Sequence, residues 1–498
     1  MTWSRLRFHT MWQQAIRRSG PSSNRRSHSL IVLLVGIACV MVSATCQAEA
    51  NLQVAVGEID ITPKIDAAVP VWIAGYGHGR AAMSVHDPIM ARALLLSDGS
   101  KRMALVSVDL IGLQFQETER IRERLPDLDY IMVASTHNHE GPDTIGIWGE
   151  NPLRRGVDEA YLDLVVNRVA KLLTSLEANL EPVTMELGTT RRPDLLHDSR
   201  LPIVLDPVIR ALLFRSTKGG EPVALLLQQN CHPEALGSKN TALTADFPHY
   251  TIGYLREKLD CPVVLVSGAI GGLMAPPPSG IQDEAGRELP FGTFEYAKRY
   301  GNELGAATMI ALENAKSLPG IPLDVETRQV AIPIDNYMYR LARSLKVIVR
   351  ESYEWTGSPE KFGKAVSVDF RPDRPATRTE VALIRMGDLA IACLPGELNP
   401  ELVYGEIVDP PEANVDFPDA PPEPHLTAMF ADRPWMFIGL ANDEVGYIIP
   451  KRQWDFDPPY AYGRAKPQYG EINSCGPDTA PILLNSLRDC FQELEKRW

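Results

Sequence analysis

Short apolar runs rich in Val, Ile and Leu recur along this chain, and their length restricts the fold more than any other feature. They include MALVSVDLIGL (103–113), YIMVAS (130–135), PVALLLQQN (222–230), PVVLVSGAI (262–270), VALIRM (381–386), LAIACLP (389–395) and WMFIGLAN (435–442). Such runs are too short for helices and read as buried strands. Helical patterns fall between some of them, at 116–125, 159–180, 294–318 and 481–497. Strands mixed with helices predict an α/β fold, here one large mixed α/β domain of catalytic size over residues 51–498. No fixed-period repeat interrupts it. The Pro-rich tracts 409–424 and 455–468 read as surface loops within that domain.

Several of these strands end in loops that carry metal-binding side chains. VASTHNHEGPDT (133–144) places His137 and His139 just past a strand. QQNCHPEAL supplies His232, ACLPGELNPEL supplies Glu397, and FIGLANDEVGYIIP supplies Tyr447. In α/β sheets, sites form beyond the carboxyl ends of strands. Two imidazoles, a carboxylate and an open position suit catalytic zinc. If strand geometry persists, His137 and His139 point the same way. A lone His-x-His is equally compatible with two ordinary loop histidines, and spacing alone leaves that open. Nearby patterns are excluded: His139 is followed by EGP rather than the x-Asp-His of metallo-lactamases, and no H-E-x-x-H, G-x-S-x-G or P-loop is present. Asp246 reads either as an acceptor bracing a ligand histidine or as a helix N-terminal acid. Asp109, at the end of a buried strand, is a second bracing candidate.

The first fifty residues differ from the rest. Six arginines precede a 13-residue apolar-to-small run (30–42), followed by SATCQAEA. This is the layout of a signal peptide with a long basic n-region, and mature protein is expected to begin near Asn51. An uncleaved membrane anchor is the alternative, although the run is short for a bilayer span. Without residues 1–50, 44 basic residues face 62 acidic ones, a net charge of −18. That balance argues against nucleic acid as a partner. The remaining cysteines, at 231, 261, 393, 475 and 490, form no C-x-x-C pair. A zinc ribbon is excluded on that ground, and Cys475–Cys490 is the expected pair if one disulfide forms.

The ordered set VAVGEIDITP, AGYGHGR, VHDPIMARALLLSDG, VSVDLIGL, STHNHEGPDT, NCHPEAL, LTADFPHY, LPGEL, GLANDEVGY and YGEINSCGP resembles the catalytic domain of the neutral/alkaline (non-lysosomal) ceramidases, a family of zinc amidases. The resemblance implies one Zn2+ per chain, held by His137, His232, Glu397 and Tyr447. It implies His139 as a catalytic residue beside the metal, with Arg191 (in GTTRRPD) and Tyr469 (in YGEINS) as further active-site residues. The implied partner is a lipid or small-molecule N-acyl amide, with peripheral membrane contact through the substrate. The implied location is outside the cytoplasm.

Two departures bear on the substrate. Where the family has an active-site serine in a G-D-V-S-P element, this chain has GGLMAPP, so that Ala275 offers no hydroxyl. The family's C-terminal immunoglobulin-like domain also has no counterpart before Trp498. The expected activity is therefore hydrolysis of an N-acyl amide by metal-activated water, a route that needs no serine nucleophile. Ceramide and another N-acyl lipid or sugar both remain candidates. The alternatives are a non-catalytic zinc- or ligand-binding descendant and a metal-dependent esterase or phosphoesterase.

Overall fold

Four of the apolar runs, at 103–113, 130–135, 222–230 and 262–270, lie in a nine-stranded mixed sheet. Its order is Val263–Ser267, Pro222–Gln229, Val208–Ser216, Glu181–Arg191, Gln53–Asp60, Met90–Ser97, Arg102–Val108 and Tyr130–Ser135, with Lys316–Leu318 paired off this path to Glu181–Arg191. The computed structural model describes residues 51–66, 69–366 and 374–498, and the signal-like segment 1–50 lies outside them. Both edges of the sheet are parallel pairs: Arg102–Val108 with Tyr130–Ser135, and Pro222–Gln229 with Val263–Ser267. Parallel neighbours need a crossover, and helices Phe115–Arg122 and Phe247–Leu259 lie in the two connections. Parallel strands are covered on both faces. This is why these strands read as unbroken apolar runs, and Tyr130–Ser135 and Val263–Ser267 are buried at every position.

Helix Glu159–Leu176 covers part of one face. Tyr161, Leu162, Val165, Val166, Val169, Leu172 and Leu173 recur at helical spacing and are buried, and Asp158 caps the helix at Ala160 N. The sheet curls until its two edge units meet. Ser107 Oγ donates to Leu265 O at 2.5 Å, and Ser267 Oγ donates to Thr136 O at 2.8 Å. The curl brings together the loops that follow the two edge units.

A second, six-stranded sheet contains Leu323–Pro333, Pro375–Met386, Leu389–Cys393 and Trp435–Ile438. One link to the first sheet is the segment 439–442. Gly439 N donates to Ser267 O at 2.8 Å, Asn442 N donates to Val133 O at 2.6 Å, and Asn442 Oδ1 accepts from Val133 N at 3.0 Å. A parallel two-residue bridge then sets Glu397 directly beside Tyr447. Four strand ends thus converge on one place.

Helix Thr479–Glu495 packs Leu483, Leu484, Leu487, Cys490 and Leu494 into the core beside the second sheet. The expected Cys475–Cys490 bridge is absent: both are free, buried thiols, as are Cys231, Cys261 and Cys393. Cys475 is engaged instead with Val445 O at 3.3 Å, while Cys490 faces the core from the helix. Among the described residues no helix is long and apolar enough to cross a membrane.

One buried ion pair holds the loop that carries Tyr469. Arg200 Nη1 and Nη2 donate to the two carboxylate oxygens of Glu471, each at 2.8 Å, and both side chains are buried. Breaking such a pair strands a charge in the interior. Glu471→Ala is expected to lower unfolding stability by about 3–5 kcal/mol, read from urea denaturation. An unchanged midpoint would contradict this.

Candidate metal centre

The two histidines expected to share a strand face reach the site by another route. The strand ends at Ser135, and His137 takes a left-handed backbone with φ of 63°. For a residue with a full side chain, this conformation costs about 1–3 kcal/mol and persists only where its surroundings impose it. Here the His137 ring is held by Ile111 O, 2.7 Å from Nδ1. His232 is held in the same way, with Met274 O 2.6 Å from its Nδ1. A carbonyl only accepts, so both Nδ1 atoms carry a proton and both Nε2 atoms are the ones turned to the site, where His232 Nε2 shares a hydrogen bond with Glu397. Those Nε2 atoms converge on one carboxylate oxygen: Glu397 Oε2 lies 2.9 Å from His232 and 3.6 Å from His137. Tyr447 is paired beside Glu397 on the strand bridge.

The electrostatics follow from burial and from this contact. Burial lowers the His137 pKa to about 4. Burial also opposes a charge on His232, but the hydrogen bond and charge of Glu397 outweigh it and raise the pKa. Glu397 is fully buried, yet the two imidazoles and Tyr447 hold it below the usual carboxylate range. A carboxylate kept ionised between two imidazoles, each braced by a carbonyl at its far nitrogen, could serve as the donor set of a metal ion. The residues therefore fit zinc.

His139 completes a second grouping. Ligand atoms of His137, His139 and His232 all lie within 4.8 Å of one another. His139 differs from the other two in its support, since neither of its buried ring nitrogens has a hydrogen-bond partner. Glu234 Oε2 is its nearest carboxylate oxygen, 3.5 Å from Nδ1. Ligand histidines are normally fixed through the far nitrogen, and His139 lacks that anchor.

The loops around this cluster are fastened by groups whose roles the sequence left undefined. Arg80 donates to the carbonyls of Ala74 and His139 and pairs with Glu140 at 3.1 Å. Glu140 also accepts from Asn240 at 2.8 Å, so it is a buried brace turned to Arg80. Asn138, between the histidines, donates to Asp109 O at 3.1 Å and Thr244 O at 2.8 Å. Asp109 itself pairs with Arg92 at 2.8 Å. Asp246 caps helix Phe247–Leu259 and accepts from Ala235 N and Leu236 N, at 3.2 and 3.0 Å. It is thus a helix-terminal acid that also holds the loop following His232.

Gly75 packs against His139. A Cβ there would lie 2.5 Å from His139 Cγ, and its φ of +92° disfavours any side chain. Gly75→Ala is expected to displace the imidazole and cut turnover about 10²-fold. Steady-state kinetics on the folded variant check this, and unchanged kcat would contradict it.

The cluster opens on a cavity of about 720 Å³, within the usual range of small-molecule sites. His137, His139, His232, Glu397, Tyr447 and Tyr469 all line it. Arg191 does not: it is exposed at the end of strand Glu181–Arg191. Of the segment 271–277, Leu273 lines the cavity and Met274 supplies the carbonyl to His232, while Ala275 forms a backbone bridge to His197. Much of the remaining lining is apolar, with Ile145, Trp148, Met338, Val347 and Ile348 among it. Tyr76, Glu234 and Glu444 also face the cavity, though the sequence reading gave them no role. The one signal that could have found Glu234 is its place two residues after His232.

No family model and no curated protein matches the sequence. Solved structures do. The neutral ceramidase of Pseudomonas aeruginosa superimposes with a TM-score of 0.67 over 90% of this chain and 75% of its own, at 17% identity. The fold is that of neutral ceramidase. A ceramidase complexed with C2 gives a TM-score of 0.64 over 90% of this chain and 76% of its own, at 15% identity. The neutral ceramidase fold read from the ordered motifs is thus the fold found in three dimensions.

Proposed function

We propose that this chain is an exported zinc-dependent amide hydrolase that cleaves an N-acyl amide of lipid type, ceramide or a relative of it. The observation that carries the reading is the pair of carbonyl-braced imidazoles sharing the Glu397 carboxylate at the wall of a largely apolar cavity. His137, His232, Glu397 and Tyr447 would hold the ion. Bound there, zinc would supply a water nucleophile at neutral pH and polarise the amide carbonyl. The chain's own groups do the rest. Tyr469 lines the cavity, where its hydroxyl can donate to charge building on the carbonyl oxygen. His139 has both ring nitrogens unengaged and can carry a proton to the leaving nitrogen. Ile145, Trp148, Met338, Val347 and Ile348 exclude water and receive the acyl chain. That wall favours a lipid amide over an N-acyl sugar. The basic and apolar segment of residues 1–50 supports export. Contact with a membrane would follow from the lipid nature of the substrate.

Chain length tests this reading. Each buried methylene contributes about 0.8 kcal/mol, so kcat/KM on a series of N-acyl amides is expected to rise roughly 3–4-fold per added CH2 until the cavity is filled. Esters and phosphate esters of matched length serve as comparisons. Turnover of phosphate esters alone would replace the reading with a phosphoesterase. Bound zinc with no turnover of any amide would replace it with a non-catalytic binder.

A further inference from the structure

We infer that Glu234 and Tyr76 form a head-group subsite that accepts a hydroxyl or ammonium donor on the amine portion of the substrate. The inference rests on the amide-hydrolase reading above and adds the polar half of the substrate to it.

Glu234 lies on the loop that carries His232, and its own N–H donates to His232 O at 2.9 Å. Its side chain is only one-fifth exposed and faces the cavity. Oε2 accepts from Tyr76 Oη at 3.1 Å and lies 3.5 Å from His139 Nδ1, to which it makes no hydrogen bond. Among the described residues Oε1 has no donor at all. Three buried carboxylates of this region have an arginine partner: Glu140 has Arg80, Asp109 has Arg92, and Glu471 has Arg200. Among the described residues Glu234 has no arginine or lysine partner, and its basic neighbour is the His139 ring at 3.5 Å. A carboxylate removed from water without a partner is costly, and one that faces a ligand cavity can find its partner in the ligand. Glu234 sits beside His139, the residue assigned to the leaving nitrogen. A group attached near that nitrogen therefore lies within reach of the carboxylate, while the acyl chain goes to the apolar wall. Tyr76 Oη fixes Oε2, which leaves Oε1 as the acceptor for the substrate.

The test uses the zinc-loaded mature protein and three amides of one acyl chain: N-acyl-2-aminoethanol, its O-methyl ether, and the N-acyl diamine with a free ammonium. Wild type is expected to prefer the hydroxyl and ammonium amides over the ether by about 10–100-fold in kcat/KM, mostly through KM. Glu234→Ala should reduce that preference to near unity, with zinc content unchanged. Glu234→Gln, which keeps an acceptor, should retain part of the preference for the hydroxyl and lose that for the ammonium. A preference that survives Glu234→Ala would overturn the inference. So would equal losses on all three amides, which would place Glu234 in the chemistry or the scaffold. If wild type cleaves none of them, the hydrolase reading fails on its own account. Binding of the same three amides to wild type and Glu234→Ala, followed by titration calorimetry, then decides the subsite with the same outcomes.

Discussion

Glu397→Ala is expected to empty the metal centre. Among the described residues Glu397 is the one carboxylate within reach of the imidazoles of both His137 and His232, and Tyr447 is set against it by the strand bridge. Removing it leaves two neutral imidazoles and a phenol to hold a dication, with no anionic charge among them. Zinc content should fall from about one per chain to near zero after dialysis against micromolar metal. Turnover should fall by more than about 10³-fold, because an activated water and charge stabilisation at the carbonyl are lost together. Metal analysis and single-turnover kinetics on the same sample check both. The grouping of three histidines makes the outcome informative. If Glu397→Ala kept stoichiometric zinc, the ion would be held by His137, His139 and His232, and Glu397 would have another task.

His139→Ala is expected to do the opposite to the metal and nearly as much to the rate. The ring has no carbonyl anchor, unlike those of His137 and His232, and neither of its nitrogens is engaged. Zinc should remain at about one per chain. Loss of a positioned acid–base group should lower kcat about 10²–10⁴-fold. Amides with better leaving amines should suffer less, since they need less protonation at nitrogen. Loss of zinc in His139→Ala would move this residue into the ligand set.

Much of this was legible in the sequence, for physical reasons that can be traced. The parallel edge units are buried on both faces, so Tyr130–Ser135 and Val263–Ser267 stand out as pure apolar runs. Helix Phe294–Glu313 was expected to run to residue 318, but it stops at Asn314, and residues 316–318 turn back as a strand beside Glu181–Arg191. The strands Gln53–Asp60, Glu181–Arg191 and Leu323–Pro333 were missed because their polar and half-buried positions blur the pattern. The strand-end loops located His137, His232, Glu397 and Tyr447. Their convergence depends on the curl of the sheet and on Asn442 joining the two sheets, contacts between residues hundreds of positions apart. Strand alternation gave the wrong reason for His137 and His139 to meet, since a left-handed residue does that work. Arg191 was assigned to the active site by motif position alone, and its exposed strand end lies outside the cavity lining. Tyr76 and Glu234 lie inside the motifs AGYGHGR and NCHPEAL, but an acid and a tyrosine in loops gain a role only from what faces them.

Zinc titration of the metal-free protein, with release of fatty acid followed from an N-acyl amide, tests the central claim most directly. The expected result is no release without metal and a linear rise that levels off at about one equivalent of zinc per chain. Full turnover in the metal-free protein, or a zinc-loaded protein that releases nothing from any N-acyl amide, would contradict it.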